Sequence, residues 1–110
     1  MQQTKVNEIK NAEEFFKILG TGKASIFMFH ASWCGPCKKM EPILNSFLNT
    51  ALKDKYDFYK IDVDTNPYLV KSFCIFQVPT IVVIKDHEVI SKFSGFRPPE
   101  ELYDVLDVLV

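Results

Sequence analysis

An α/β domain with a mixed sheet and helices on both of its faces is predicted by three observations. Short apolar or β-branched runs alternate with amphipathic helical patterns in the order β-α-β-α-β-α-β-β-α. The run Ser25-Ile26-Phe27-Met28-Phe29 is apolar without alternation, as in a strand covered on both faces. The last two strands are joined by a tight turn, so βαβ units are followed by a hairpin and the sheet is mixed. About five strands and four helices are expected in one domain spanning residues 1–110.

Residues 6–9 form a short first strand. Asn11 follows as an N-cap, with Glu14 three residues on in the position of a capping box. Ala12, Phe15, Phe16 and Leu19 then share one helical face, and Gly20-Thr21-Gly22 ends it, with glycine expected in the left-handed conformation of a C-cap. After the strand at 25–29 and a cysteine-containing turn, a long helix is predicted over residues 38–52, with Met40, Ile43, Leu44, Phe47, Leu48 and Ala51 at helical spacing. Pro42 lies inside it and should kink it, because proline removes a backbone donor. In a third strand at 57–63, Phe58, Lys60 and Asp62 share one face and Tyr59, Ile61 and Val63 the other. Asn66-Pro67 opens a short helix containing Leu69, Val70 and Phe73. Residues 80–84 are the most β-branched run and therefore a buried strand; Asp86-His87 turns the chain into a partner strand at 88–94. Pro98-Pro99 starts a final helix with an apolar stripe of Leu102, Val105, Leu106 and Leu109.

Composition narrows the function classes. The formal charge of −1 gives no electrostatic reason to expect nucleic acid or an anionic membrane. No apolar run approaches the roughly 18–20 residues that span a bilayer. Met1-Gln2-Gln3-Thr4-Lys5 has no apolar core of a signal peptide, so a cytoplasmic location is expected. A monomer without membrane contact is also expected. Three cysteines in a reducing compartment are not a structural framework, and an odd number excludes full internal pairing.

Two of the three, Cys34 and Cys37, stand where a strand ends and a helix begins. A helix N-terminus offers unpaired N–H groups and partial positive charge, which stabilise a thiolate and make it nucleophilic near neutral pH. Cys37, one turn into the helix, can reach back to Cys34. Dithiol–disulfide chemistry competes with half of a zinc site, which would need two more ligands. Cys74, His30 and His87 are the other non-carboxylate candidates, and none forms a second ligand pair, so no metal is expected. Gly35 is read as permitting a close turn and Pro36 as fixing φ while removing a competing donor.

The stretch Trp33-Cys34-Gly35-Pro36-Cys37-Lys38 with Pro42 resembles the thioredoxin family. Lys60, Asp64-Thr65-Asn66-Pro67, Val78-Pro79-Thr80 and Gly95 fit its pattern downstream, so the resemblance spans essentially the whole chain. It implies a thioredoxin-like three-layer α/β/α sandwich and a protein-disulfide reductase. Cys34, implied to be the more exposed thiol, attacks a substrate disulfide, and Cys37 resolves the mixed disulfide to leave Cys34–Cys37. The resemblance also implies no bound cofactor, electrons from NADPH through a thioredoxin reductase, and disulfide-containing proteins as partners. Trp33, Val78, Pro79, Gly95 and Phe76 are implied to border the substrate groove. Trp33, Gly35, Pro36, Lys60 and Pro79 are implied to support the site, with Pro79 in a cis-proline loop. Backbone groups of Val78 would read an extended peptide by strand addition.

Four positions depart from the family pattern. Met28, six residues before Cys34, stands where the family has a buried aspartate that takes the proton of the second cysteine. Lys60 acting through water, or Cys34 leaving as thiolate, would have to serve instead. His30 replaces an aromatic residue. His87 replaces a glycine and is expected at positive φ. Phe76 replaces a polar or basic residue and, if exposed, adds an apolar patch beside the groove. Cys74 reads as a small apolar filler at a helix end, with a regulatory thiol as the alternative. A binding or redox-sensing module with low turnover is the competing function, to which the missing aspartate lends weight. An oxidase or isomerase is disfavoured by the Gly-Pro between the cysteines.

Overall fold

Strand propensity and burial decide the centre of the molecule. The computed structural model describes residues 4–110, so the reading of Met1-Gln2-Gln3 lies outside the described residues. Five strands, β1 (Asn7–Ile9), β2 (Ala24–His30), β3 (Tyr56–Asp62), β4 (Thr80–Lys85) and β5 (Glu88–Ser94), form one sheet in the order β1-β3-β2-β4-β5. β1, β3 and β2 run parallel, and β4 is antiparallel to both β2 and β5. The unalternating apolar strand β2 sits in the middle, with β3 on one side and β4 on the other, which is why it carries no polar face.

The helices are α1 (Ala12–Leu19), α2 (Gly35–Phe47), α3 (Leu52–Lys55), α4 (Pro67–Ser72) and α5 (Pro99–Leu109). Met40, Leu44 and Phe47 of α2 and Leu102 and Leu106 of α5 pack with Met28, Phe58 and Ile81 on one face of the sheet. Phe15 of α1 and Leu69 of α4 pack with Phe27, Phe29, Ile61 and Val82 on the other. The result is the expected three-layer sandwich, and the two faces of β3 divide as its alternation requires.

Three expectations change. The helix predicted over 38–52 is two helices, which brings the number to five. Thr50 explains the break: its hydroxyl donates to the Phe47 carbonyl at 2.6 Å and accepts from the Leu52 amide at 3.3 Å. It thereby satisfies groups that a continuing helix would have used. Pro42 lies inside α2 without ending it. Gly20 caps α1 in the right-handed region, at φ −73°, its amide bonding back to Lys17; the left-handed residue is Gly22, at φ +80°. Phe73 lies just past α4 as its C-cap. Elsewhere strand ends move by one residue. Asn11 caps α1 as expected, accepting from the Glu14 amide at 2.9 Å.

Candidate active site

The end of β2 delivers the chain into α2 through Ala31–Cys34, and the Cys34 amide bonds to the Ala31 carbonyl at 3.1 Å. Cys34 is the N-cap of α2, in extended conformation, and its Sγ accepts from the Cys37 amide at 3.2 Å. A sulfur has taken the place of the usual oxygen at a helix start, and an amide donor aimed at it favours its anionic form. Cys34 and Cys37 are joined by a disulfide, with Cα atoms 5.3 Å apart. Both are buried in this state, 4% and 2% exposed, so the expected contrast in accessibility is slight while they are bonded. Pro36 lies in the first turn. Gly35 has neither positive φ nor any neighbour within 4 Å of where a Cβ would stand, so the turn itself does not demand glycine.

The other predicted residues gather around this point unequally. Val78 packs against the cysteines together with Val63 and Ala31. The Val78–Pro79 peptide is cis, and the Pro79 carbonyl accepts from the amide of Gly95, which stands at φ +93°. Trp33 is 69% exposed and is held by its indole N–H, which donates to Asp64 Oδ2 at 3.0 Å. Phe76 is 91% exposed. Together with Val63, Val70, Ile75 and Val78, these two rings line a cleft of about 230 Å³. The apolar patch expected of Phe76 is therefore present.

Beneath the cysteines the picture differs from expectation. Met28 is fully buried and pairs in register with Lys60. Lys60 Nζ lies 3.0 Å from Glu41 Oε1, one turn beyond Cys37 on α2. His30 is turned towards Glu8, with Nε2 3.5 Å from Oε2, outside hydrogen-bonding geometry. His87 occupies the hairpin turn at φ +65°, as expected. Cys74 is not a filler: it is exposed, at φ +53°, because the chain reverses there at the end of α4 and turns its side chain outward. Among the described residues no group of three or more His, Cys, Asp and Glu side chains is placed to hold a metal.

Glu41 is not singled out from the sequence, although its spacing of four from Cys37 on a helix is a usable signal. Asp64 enters there only as part of the family match after the third strand, and its contact with Trp33, distant in the chain, has no sequence signal.

Comparison with known proteins places this arrangement. The thioredoxin family profile matches residues 6–108. The chain belongs to the thioredoxin family. It is 43% identical over 79 residues to a thioredoxin of Staphylococcus haemolyticus, covering 72% of this chain and 75% of the relative. A thioredoxin of Malassezia sympodialis has a similar structure, with a TM-score of 0.88 at 30% identity over 98% of this chain and 93% of its own. Mitochondrial thioredoxin 3 of Saccharomyces cerevisiae, in oxidised form, gives 0.83 at 30% identity, covering 98% and 99%.

The protein is a thiol–disulfide oxidoreductase, with the vicinal pair Cys34 and Cys37 at disulfide distance. The low-turnover binding module is not favoured. Thioredoxins carry no cofactor of their own, and the family implies a reductase and disulfide-containing substrates as partners. No described helix is long and apolar enough to cross a membrane.

Proposed function

We propose that the protein reduces disulfides of cytoplasmic proteins, acting as a monomer recharged by an NADPH-dependent thioredoxin reductase. The observation that supports Cys34 as nucleophile is its Sγ at the N-cap of α2, accepting from the Cys37 amide. Once reduced, Cys34 meets at that point the unpaired amides and positive end of the helix. Its thiolate attacks one sulfur of the substrate disulfide, and the other sulfur leaves with the electron pair and takes up a proton. Cys37, as thiolate, then attacks Cys34 Sγ. The Cys34–Cys37 bond forms, the Cys34–substrate bond breaks, and the second substrate thiol is released. Two electrons have passed from the protein dithiol to the substrate, and the reductase returns them.

Trp33, Phe76, Val78, Pro79 and Gly95 form the groove in this reading, with the backbone of Val78 pairing to an extended substrate segment. A turnover assay coupled to NADPH oxidation through thioredoxin reductase, with a disulfide protein as substrate, tests it. Turnover should vanish in both Cys34→Ser and Cys37→Ser, and Cys37→Ser should accumulate a mixed disulfide through Cys34. Absence of turnover in the native protein, or a strongly oxidising potential, would overturn the reading.

A further inference from the structure

We propose that Glu41, held in place by Lys60, takes the proton of Cys37 through one bridging water in the resolving step. The proposal rests on the reading of Cys37 as the resolving thiol. Cys37 is 2% exposed, and such burial disfavours the thiolate that must attack Cys34. Its immediate packing includes Ala31, Cys34, Val63 and Val78, none of which is a base. On the sheet beneath α2, the position in register with Lys60 is the buried Met28, which neither accepts nor donates a proton.

Glu41 is the carboxylate that α2 itself supplies. It lies four residues beyond Cys37, on the same face of the helix and about 5–6 Å away between Cβ atoms. Side chains on a helix lean towards its N-terminus, so Glu41 lies over the turn that contains Cys37. Its side chain is 33% exposed and that of Lys60 21% exposed. Glu41 is thus partly open to solvent and one helical turn from the buried thiol.

The 3.0 Å pair also decides which partner accepts the proton. An ammonium has three donors and no acceptor, so Lys60 in this pair holds Glu41 and does not take up a proton. Other charged groups on the face or beside the site are few. Glu8 of β1 is in register with Lys60 and is turned towards His30 of β2. Asp62, on the Lys60 face of β3 and in register with His30, accepts from the Asp64 amide, and Asp64 accepts from the Trp33 indole. Lys38 and Lys39 lie on α2 itself. His30 is the competing base, and the test includes it.

The step balances as follows. The Cys37 thiol gives its proton through water to the Glu41 carboxylate, and the resulting thiolate displaces substrate sulfur from Cys34. The departing substrate thiolate takes a proton from Glu41 or from solvent. The carboxylate is regenerated, and no further oxidant or reductant is consumed.

Rapid mixing of the reduced protein with excess of a chromogenic aryl disulfide separates the two chemical steps. A Cys74→Ser background removes the exposed third thiol. Attack by Cys34 gives the first release of aryl thiol, second order; attack by Cys37 gives the second, independent of reagent concentration. Glu41→Gln should slow the second release by about tenfold or more at neutral pH, within what a positioned base supplies, and leave the first unchanged. The second release should then rise with pH as attack assisted by hydroxide. Glu41→Asp should retain most of the rate, and Lys60→Met should slow the same step and alter its pH profile. An unchanged second release and pH profile in Glu41→Gln would overturn the proposal. So would a slowing produced by His30→Asn and not by Glu41→Gln. If the native protein shows no second-order first release, it is the assignment of Cys34 as nucleophile that fails.

Discussion

The two faces of one sheet are built differently. The face covered by α1 and α4 is an aromatic stack: Phe15 lies 4.8 Å from Phe27, Phe27 5.4 Å from Tyr59, and Phe73 packs on both Phe15 and Phe29. The face covered by α2 and α5 mixes methionine and aliphatic side chains with Phe47, Phe58 and Tyr56, whose hydroxyl donates to the Leu106 carbonyl at 2.6 Å, and it has polar pairs at its edge, Glu41–Lys60 and Glu8–His30. Both faces bury apolar area; only the second can hold or move a proton near the cysteines. One side of the sheet is specialised for stability and the other carries chemistry at its rim.

The contrast is sharpest for Phe27. Phe27→Ala opens a cavity in the aromatic face and should cost about 3–5 kcal/mol, measured by denaturant unfolding. Disulfide reduction per folded molecule should be unchanged, and loss of activity in folded protein would erase the division between the faces. On the opposite side Met28→Asp should cost about 2–4 kcal/mol, because a carboxyl replaces a fully buried side chain. Burial raises the folded-state pKa of such a carboxyl, so the penalty grows as pH rises through about 4 and beyond. The same variant should change the pH–rate profile of disulfide reduction; an unaltered profile would show that position 28 has no access to Cys37.

The tyrosines give a gentler comparison, one on each face. Burial first, then the charge of Asp107, pushes Tyr56 up to about 12. Tyr59 is also raised, by burial and then by Asp57. A raised phenol stabilises the fold below its unfolded value near 10, and that contribution is lost as pH climbs from about 10 towards 12. Alkaline unfolding should therefore be less steep in Tyr56→Phe. Equal steepness would mean that the phenol is not the group responsible. The smallest effect belongs to the edge of the sheet, where His87 holds φ +65° beside Asp86 at φ +52°. His87→Gly should raise stability by about 0.5–1 kcal/mol, with no change in turnover, as a thermal melt would show.

Much of this architecture is legible in the sequence. The residue order and periodicities placed every strand, because a half-buried or fully buried strand leaves its burial in the spacing of its apolar residues. The family resemblance singles out Trp33 to Lys38, Val78-Pro79 and Gly95; the cis peptide expected at Pro79 is present, and Val78 packs against the cysteines. The end of α2 was not legible: Leu48 and Ala51 continue the helical pattern, and the competing Thr50 hydrogen bonds outweigh it only in context. Cys74 misled for a related reason, because a small apolar residue after a helix has the same sequence appearance whether it turns inward or outward.

By itself, then, the sequence determined the layers, the dithiol at the start of a helix, and the fact that position 28 carries no carboxylate. Tertiary structure decided what surrounds the dithiol. Asp64 holds the Trp33 indole, Phe76 stands free at the cleft, and Glu41 meets Lys60 across the interface between α2 and the sheet. Local periodicity records which side of an element is buried. Pairings between side chains distant in the chain depend on strand order, register and helix placement, and these exist only once the chain has folded.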